Sequence, residues 1–200
     1  MYAIVCCNTI DYMKACFLIL NVLFLSWIQV IFERIELDYV TINEGTYKNF
    51  RMYPYAGYKF YNGFRENNLT FKITDDQGNV LIEHDNDSSD AMIAKPNFFS
   101  LNGGKEIVIL LEIAAEYSWG QDVFWIKNDT IYHSGYINLI VALENGLSIA
   151  DYCQIRPDGK NLLMLFEDVP LLELGYIEKE YEGKNTKCVI TPTEVQITVN

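Results

Sequence analysis

The sequence predicts an all-β fold, an antiparallel meander forming a sandwich, a barrel or a propeller-like sheet, preceded by an N-terminal hydrophobic helix. Three observations support this class. No long apolar repeat with the helical period appears after residue 32. Short apolar or alternating runs follow one another instead, as strands do. Turn-forming residues separate these runs roughly every 8–12 residues, the spacing typical of antiparallel sheets.

The N-terminal helix is predicted from Met13–Phe32, which reads MKACFLILNVLFLSWIQVIF. After Lys14 no charge occurs until Glu33. The run is close to the minimum of roughly 17–25 residues for a helix that spans a bilayer. Its first part, Ala15–Trp27, also suits a signal-peptide core of roughly 7–15 residues. A cleaved signal, an uncleaved anchor and a buried helix of the fold therefore remain as alternatives, and Met13 is a candidate for the true start.

This segment divides the chain into residues 1–32, a signal peptide or membrane anchor, and 33–200, a single β-rich domain. The division predicts a secreted, periplasmic or cell-envelope protein, with a single-pass membrane-anchored protein as the alternative. Any membrane contact is expected only through residues 13–32, if they are not cleaved.

The mature domain divides into strands with a recognisable turn between most neighbours. DDQGN (75–79) predicts the turn of a hairpin, RPDGK (156–160) predicts another, and Gly135 predicts a β-bulge. The run KEIVILLEIA (105–114) is almost continuously apolar, which predicts a central strand buried on both faces. Residues 168–182 are ambiguous and also fit a short helix ended by Gly183. The predicted strands are 35–42, 69–73, 80–84, 97–101, 105–114, 122–127, 131–143, 147–155, 161–167, 187–192 and 195–199.

Charge and cysteine content exclude several classes of function. The formal net charge is −12, and such a surface repels phosphate, so no nucleic-acid partner is expected. The mature domain holds Cys153 and Cys188, which either pair in an oxidising compartment or remain as two buried free thiols. The chain has no CxxC pair and only two histidines. No metal site and no cofactor are therefore predicted.

An aromatic and basic segment, 47–65, is the first candidate binding surface. It carries bases but no acid, so it attracts anionic partners. It is also rich in tyrosine, whose ring stacks on sugars or peptides in many binding proteins. The predicted ligand-binding residues are Tyr53, Tyr55 and Tyr58. In the alternative interpretation, these rings pack one face of two strands around a Pro-Tyr-Ala-Gly turn.

A second candidate is Trp119, which lies next to Gly120 in a predicted turn and close to two acids, Glu116 and Asp122. An indole at a loop tip can contact a carbohydrate, or it can cap the end of the sheet. Catalysis has little support, because no catalytic motif is present and neither His84 nor His133 has a flanking pattern that assigns it as a base. No catalytic residue is therefore predicted.

The sequence favours a binding or interaction module for carbohydrate or protein over an enzyme. An extracellular hydrolase with an unrecognised carboxylate site, drawn from Glu112, Glu116 and Asp122, is the first alternative. A structural or envelope-assembly protein with a protein partner is the second.

Overall fold

The computed structural model describes residues 30–66, 68–86, 93–116, 118–143 and 147–199. Strands make up 69% of the described residues and helical turns 4%, which confirms the all-β prediction. The helix predicted over Met13–Phe32 falls almost entirely outside the described residues. Within the described ranges, no helix is long and apolar enough to cross a membrane.

The strands form three sheets, and every recorded pairing between neighbouring strands is antiparallel. In chain order they are β1 (Phe32–Ile35), β2 (Val40–Glu44), β3 (Tyr47–Tyr55), β4 (Tyr58–Arg65), β5 (Asn68–Asp75), β6 (Val80–Asn86), β7 (Ile93–Leu101), β8 (Ile107–Ala114), β9 (Ser118–Lys127), β10 (Thr130–Ile137), β11 (Leu139–Val141), β12 (Cys153–Asp158), β13 (Asn161–Phe166), β14 (Pro170–Glu173), β15 (Lys179–Glu182), β16 (Thr186–Ile190) and β17 (Val195–Val199). Two short 3₁₀ turns occur, at Ile149–Asp151 and Gly183–Asn185.

The first sheet is a meander of five consecutive strands, in the order β2-β3-β4-β5-β6. Tight turns connect β3 to β4 and β5 to β6, and the latter is the turn predicted at DDQGN (75–79). Gly57 adopts a φ of +86° in the turn between β3 and β4. In the turn between β5 and β6, the carboxylate of Asp75 accepts a hydrogen bond of 2.8 Å from the backbone N–H of Asn79. Such local closure needs no long connection, so each strand pairs with the next one along the chain.

The second sheet has nine strands in the order β10-β9-β8-β7-β1-β12-β13-β16-β17. Strand β1 joins its two halves because it pairs with β7 on one side and β12 on the other. The end strands β10 and β17 come close together, and the sheet is nearly closed like a barrel. Of the three predicted architectures, the barrel-like arrangement therefore describes this sheet. A third, small sheet has the order β11-β14-β15.

Two hydrophobic cores lie on opposite faces of β8 and β9. Side chains such as Val108, Leu110 and Trp125 belong to the core inside the barrel-like sheet. Their neighbours Ile109 and Phe124 belong to the core between this sheet and the five-stranded sheet. Strand β8 is accordingly buried on both faces, which confirms the prediction for residues 105–114 and explains the absence of polar alternation there.

Three predicted strands have wrong boundaries. The run 131–143 is divided between β10 in the nine-stranded sheet and β11 in the small sheet, and the run 147–155 contains the 3₁₀ turn Ile149–Asp151 before β12 begins at Cys153. The single strand predicted over 35–42 is divided, because β1 ends at Ile35 in the nine-stranded sheet and β2 begins at Val40 in the five-stranded sheet. The short helix considered for 168–182 is a hairpin of β14 and β15, whose Leu172 pairs with Ile140 of β11. Pairing with a distant strand decides the structure here, and local sequence does not reveal it.

Candidate functional site

Three polar side chains meet where the five-stranded sheet packs against the barrel-like sheet. His84 lies on β6, Asp122 on β9 and His133 on β10. Alternation along β9 directs Asp122 and Phe124 to the same side, toward the core shared by the two sheets. On β10, His133 pairs directly with Phe124, so its ring lies beside that of Phe124. The cluster therefore combines ligand-type side chains from two sheets.

The carboxylate of Asp122 lies between the two imidazoles. Its Oδ2 is 3.2 Å from His84 Nε2, and its Oδ1 is 3.1 Å from His133 Nε2. The Asp122 side chain is only 6% exposed, whereas those of His84 and His133 are 27% and 33% exposed. The acid is thus held at the bottom of the cluster, and the two imidazole rings form its partly accessible rim.

Aromatic packing fixes the orientation of both imidazoles. The Phe124 ring stacks on His133 with centroids 4.7 Å apart and planes 18° apart. The same phenyl ring meets His84 edge-on at 5.7 Å, and the two imidazole centroids are 4.6 Å apart. Rings restrained in this way keep their nitrogen atoms directed at Asp122, which favours a preformed site.

Two opposing effects act on the pKa of Asp122. Burial raises the pKa of this carboxyl, but hydrogen bonds from His133 and His84, together with the attraction of these imidazoles, outweigh burial and lower the pKa below its ordinary value. Asp122 is therefore ionised at neutral pH. An ionised carboxylate only accepts hydrogen bonds, so each Nε2 atom must carry a proton in the metal-free protein.

The three side chains also offer one metal-ligand atom each, all within 4.8 Å of one another. A transition-metal ion about 2.1 Å from each donor separates neighbouring donors by roughly 3.0–3.4 Å. The two N···O distances of 3.2 and 3.1 Å already lie in this range. Because these distances end on different oxygens of the carboxylate, an ion would bind both oxygens, or one oxygen after one imidazole shifts toward it.

Irregularities in β9 and β10 position the residues beside the cluster. The pairing of β9 with β10 shifts between His133 and Gly135, which confirms the bulge predicted at Gly135. Gly120 has a φ of +142°, and a Cβ atom there would lie 2.6 Å from the hydroxyl of Tyr136. Glycine thus lets the Tyr136 ring lie across β9. Burial, followed by the charge of Asp122, raises the pKa of Tyr136 to about 12.

Of the other two predicted carboxylates, Glu116 is exposed, and Glu112 emerges on the opposite side of the sheet from Asp122. It pairs with Gln121, the residue before Asp122, and successive side chains of a strand point to opposite faces. Burial raises the pKa of Glu112, while the Ser118 hydroxyl and the charge of Lys95 oppose this effect. Glu112 and Asp122 therefore do not flank one site as the paired acids of a glycosidase would.

The predicted aromatic ligand residues face mainly inward. Tyr53 and Tyr58 are 7% and 6% exposed and belong to the core between the two sheets. Tyr55 is half-buried, and its hydroxyl donates to Ser100 Oγ at 3.1 Å. Burial, followed by a hydrogen bond to Asp129, raises the pKa of Tyr58 to about 12. These positions agree with the alternative interpretation of 47–65, in which the rings pack one face of two strands.

Trp119 lies within strand β9, and its half-buried ring packs against the same core. The turn predicted at this position is therefore wrong. Residue 119 is the extra residue of a bulge in the pairing of β8 with β9, where Ala114 pairs with Ser118. Strand pairing continues through Gly120, which pairs with Ile113.

The disulfide predicted between Cys153 and Cys188 is not formed, and both cysteines are free. Cys153 lies on β12 and Cys188 on β16, with β13 between these two strands. Two strand spacings amount to about 9.5 Å, beyond the Cα separation of roughly 7 Å that a disulfide tolerates. Burial raises the pKa of both thiols, that of Cys188 to about 12.

The His84, Asp122 and His133 cluster was not predicted. Its members are separated by 38 and 11 residues, so no spacing motif connects them. One weak signal exists: DVFWIK begins with an acid in an otherwise apolar strand, and both histidines of the chain stand in strand-like runs. Only the packing of one sheet on the other brings His84 to Asp122. No family model, curated protein or solved structure matches the chain.

Proposed function

We propose that this protein binds a divalent transition-metal ion through Nε2 of His84, Nε2 of His133 and the carboxylate of Asp122. The observation that carries the proposal is the convergence of three ligand-type side chains whose donor atoms lie within 4.8 Å of one another, with each imidazole Nε2 3.1–3.2 Å from an oxygen of the Asp122 carboxylate. This keeps the binding role predicted from the sequence and assigns it a different ligand.

The donor set favours some ions over others. Imidazole nitrogen suits Zn²⁺, Cu²⁺, Ni²⁺ and Fe²⁺, whereas Ca²⁺ and Mg²⁺ prefer sites made wholly of oxygen atoms. Two nitrogen donors and one carboxylate therefore predict a preference for Zn²⁺ over Mg²⁺. The partly exposed imidazole rim gives the ion a route from solvent, while buried Asp122 supplies the charge that offsets its desolvation.

Protons compete with the metal at both imidazoles. Each Nε2 atom that now donates to Asp122 must present its lone pair to the ion instead, so its proton moves to Nδ1 or leaves. Affinity for Zn²⁺ is therefore expected to fall as the pH is lowered, because protons then compete more strongly for the imidazole nitrogens.

The test is a Zn²⁺ titration of the full-length protein, carrying no histidine tag, by calorimetry and by thermal unfolding. At a free Zn²⁺ concentration about 100 times Kd, one site should add about 2.7 kcal/mol to the free energy of unfolding. His84→Ala, His133→Ala and Asp122→Ala should each remove this increment. Asp158→Asn, at an exposed position of β12, is the matched control and should retain it.

Only two histidines exist in the chain, and both belong to the site. Imidazole NMR signals therefore report on this site alone, and both should shift when Zn²⁺ is added. Equal stabilisation of wild type and the three variants, or an equal response to Mg²⁺, would refute the metal site. Carbohydrate or protein binding, and the secreted or envelope location, stay predictions from the sequence.

A further inference from the structure

A second surface, remote in the chain from the metal-binding residues, has the features of a docking site for a protein segment. It consists of the hairpin β14–β15 with its loop 174–178 and the groove beside the hairpin. Strand β15 is the edge of the small sheet, so one side of its backbone pairs with no strand among the described residues. Edge strands of this kind accept an added strand from a partner.

The loop of this hairpin exposes two large apolar side chains. Tyr176 is fully exposed and Ile177 is 72% exposed, the two highest values among the large hydrophobic residues of the described chain. Scattered exposed apolar residues need no explanation, but two adjacent ones at the tip of a hairpin beside a groove form a contact patch. An aromatic ring with a polar hydroxyl is well suited to anchor a partner.

The groove itself is of ligand size, with a volume of about 560 Å³. Its apolar part comes from Ala142, Val169 and Pro170, and the ring of Tyr181 adds to it. Its polar rim carries three acids and one base: Asp168, Glu180, Glu182 and Lys184. The groove therefore offers apolar contact inside and a net negative rim.

Charge decides what kind of segment fits this surface. Lys184 lies 3.4 Å from Asp168 and 3.8 Å from Glu182, so the one base is already engaged by acids of the rim. Glu180 is exposed and forms no ion pair among the described residues. A second copy paired antiparallel about Tyr181 would place Glu180 opposite Glu182, and these like charges disfavour self-pairing in that register.

We propose that this surface binds an extended, basic segment of a partner protein, added as a strand along β15. Alternate lysine or arginine side chains of that segment would meet Glu180 and Glu182. Its intervening apolar side chains would fill the groove and contact Tyr176 and Ile177. This inference is independent of metal binding, because it uses none of the three metal-binding residues.

The test uses a fluorescein-labelled peptide of alternating lysine and valine and measures anisotropy with the full chain. Glu180→Lys combined with Glu182→Lys should weaken binding at least about tenfold, since it reverses the rim charge. Tyr176→Ser combined with Ile177→Ser should weaken it several-fold without changing charge. Asp38→Lys combined with Glu44→Lys makes the same charge change at exposed positions elsewhere and should leave affinity within about twofold.

Three outcomes would overturn the proposal. The first is no binding of the lysine–valine peptide by wild type, and the second is an equal loss in the Asp38/Glu44 control, which would indicate attraction by net charge alone. The third is binding of the chain to neutral phosphatidylcholine vesicles that depends on Tyr176 and Ile177, which would assign the loop to a lipid surface. Circular dichroism of each variant verifies that the fold is retained.

Discussion

Asp122 and Glu112 are two carboxylates on paired strands, one position out of register, yet their surroundings shift their pKa values in opposite directions. Asp122 faces the core between the two sheets and is held by two imidazoles. Glu112 faces the inside of the barrel-like sheet, where burial raises the pKa of the carboxyl. Burial acts on both acids, so the difference lies in their partners. A buried carboxylate becomes a ligand-type group only where cationic or donor groups keep it ionised.

The same comparison distinguishes the donor groups on the two sides of the sheet. On the side of Asp122, each hydrogen-bonding partner is an imidazole, a side chain of the kind that ligates transition metals. On the side of Glu112, its cross-strand neighbour Gln121 has a buried Oε1 atom without a hydrogen-bond partner. That side contains polar groups that are incompletely satisfied, and the described residues there provide no converging set of donors for an ion.

Replacement of each acid by alanine should give the largest contrast. Asp122→Ala removes two hydrogen bonds to an ionised group, so the free energy of unfolding should fall by about 3 kcal/mol at pH 7. Glu112→Ala removes a carboxylate whose ionised form burial disfavours, so the loss should be about 1 kcal/mol or less. Urea unfolding with EDTA present measures both values without a metal contribution. Similar losses in the two variants would contradict the comparison.

The two acids should affect the pH dependence of stability in opposite directions. The folded-state pKa of Asp122 is below its ordinary value of 3.8, so its contribution is present above 3.8 and is lost as the pH falls through the folded value. The folded-state pKa of Glu112 is above its ordinary value of 4.5, so ionisation destabilises the fold as the pH rises through 4.5 toward the folded value.

Two variants with neutral side chains of similar shape measure these slopes. The stability difference between wild type and Asp122→Asn should shrink below pH 3.8. The two proteins are compared only below about pH 5, because both histidines are already charged there in the unfolded chain. Glu112→Gln should become more stable relative to wild type as the pH rises above 4.5. If the stability difference between wild type and variant changed with pH in the same direction for both acids, the two acids would share one kind of environment.

Much of the framework around these acids was predictable from local sequence. The apolar run of β8, the turn at 75–79 and the bulge at Gly135 each depend on residues that are neighbours in the chain. The barrel-like closure and the division of 35–42 between two sheets depend on pairings between distant strands. Such pairings leave no signal in a local window.

The candidate site lay beyond prediction for the same reason. His84 and Asp122 meet only because β6 packs near β9, and a chain with two histidines gives no motif to connect them. The aromatic segment 47–65 illustrates the opposite error, since its ring content suggested a surface. Strand alternation directs Tyr53 and Tyr58 into the core.

Gln121 allows a smaller and more specific test of the side that Glu112 faces. Its side chain is fully buried, its Nε2 donates to Ser148 Oγ at 3.2 Å, and its Oε1 has no partner in the described part of the chain. Gln121→Met keeps the approximate volume and removes the unpaired acceptor, at the cost of one neutral hydrogen bond. Ser148 Oγ still accepts from the backbone N–H of Ala150.

An unpaired buried acceptor costs about 1–3 kcal/mol and a neutral hydrogen bond contributes about 1 kcal/mol, so Gln121→Met should be more stable by roughly 1 kcal/mol. The same substitution at Gln154, an exposed position of β12, should change the free energy of unfolding by less than about 0.5 kcal/mol. Urea unfolding at pH 7 measures both. A loss of stability in Gln121→Met would mean that Oε1 is hydrogen-bonded in solution. The side of Glu112 would then be as fully satisfied as that of Asp122.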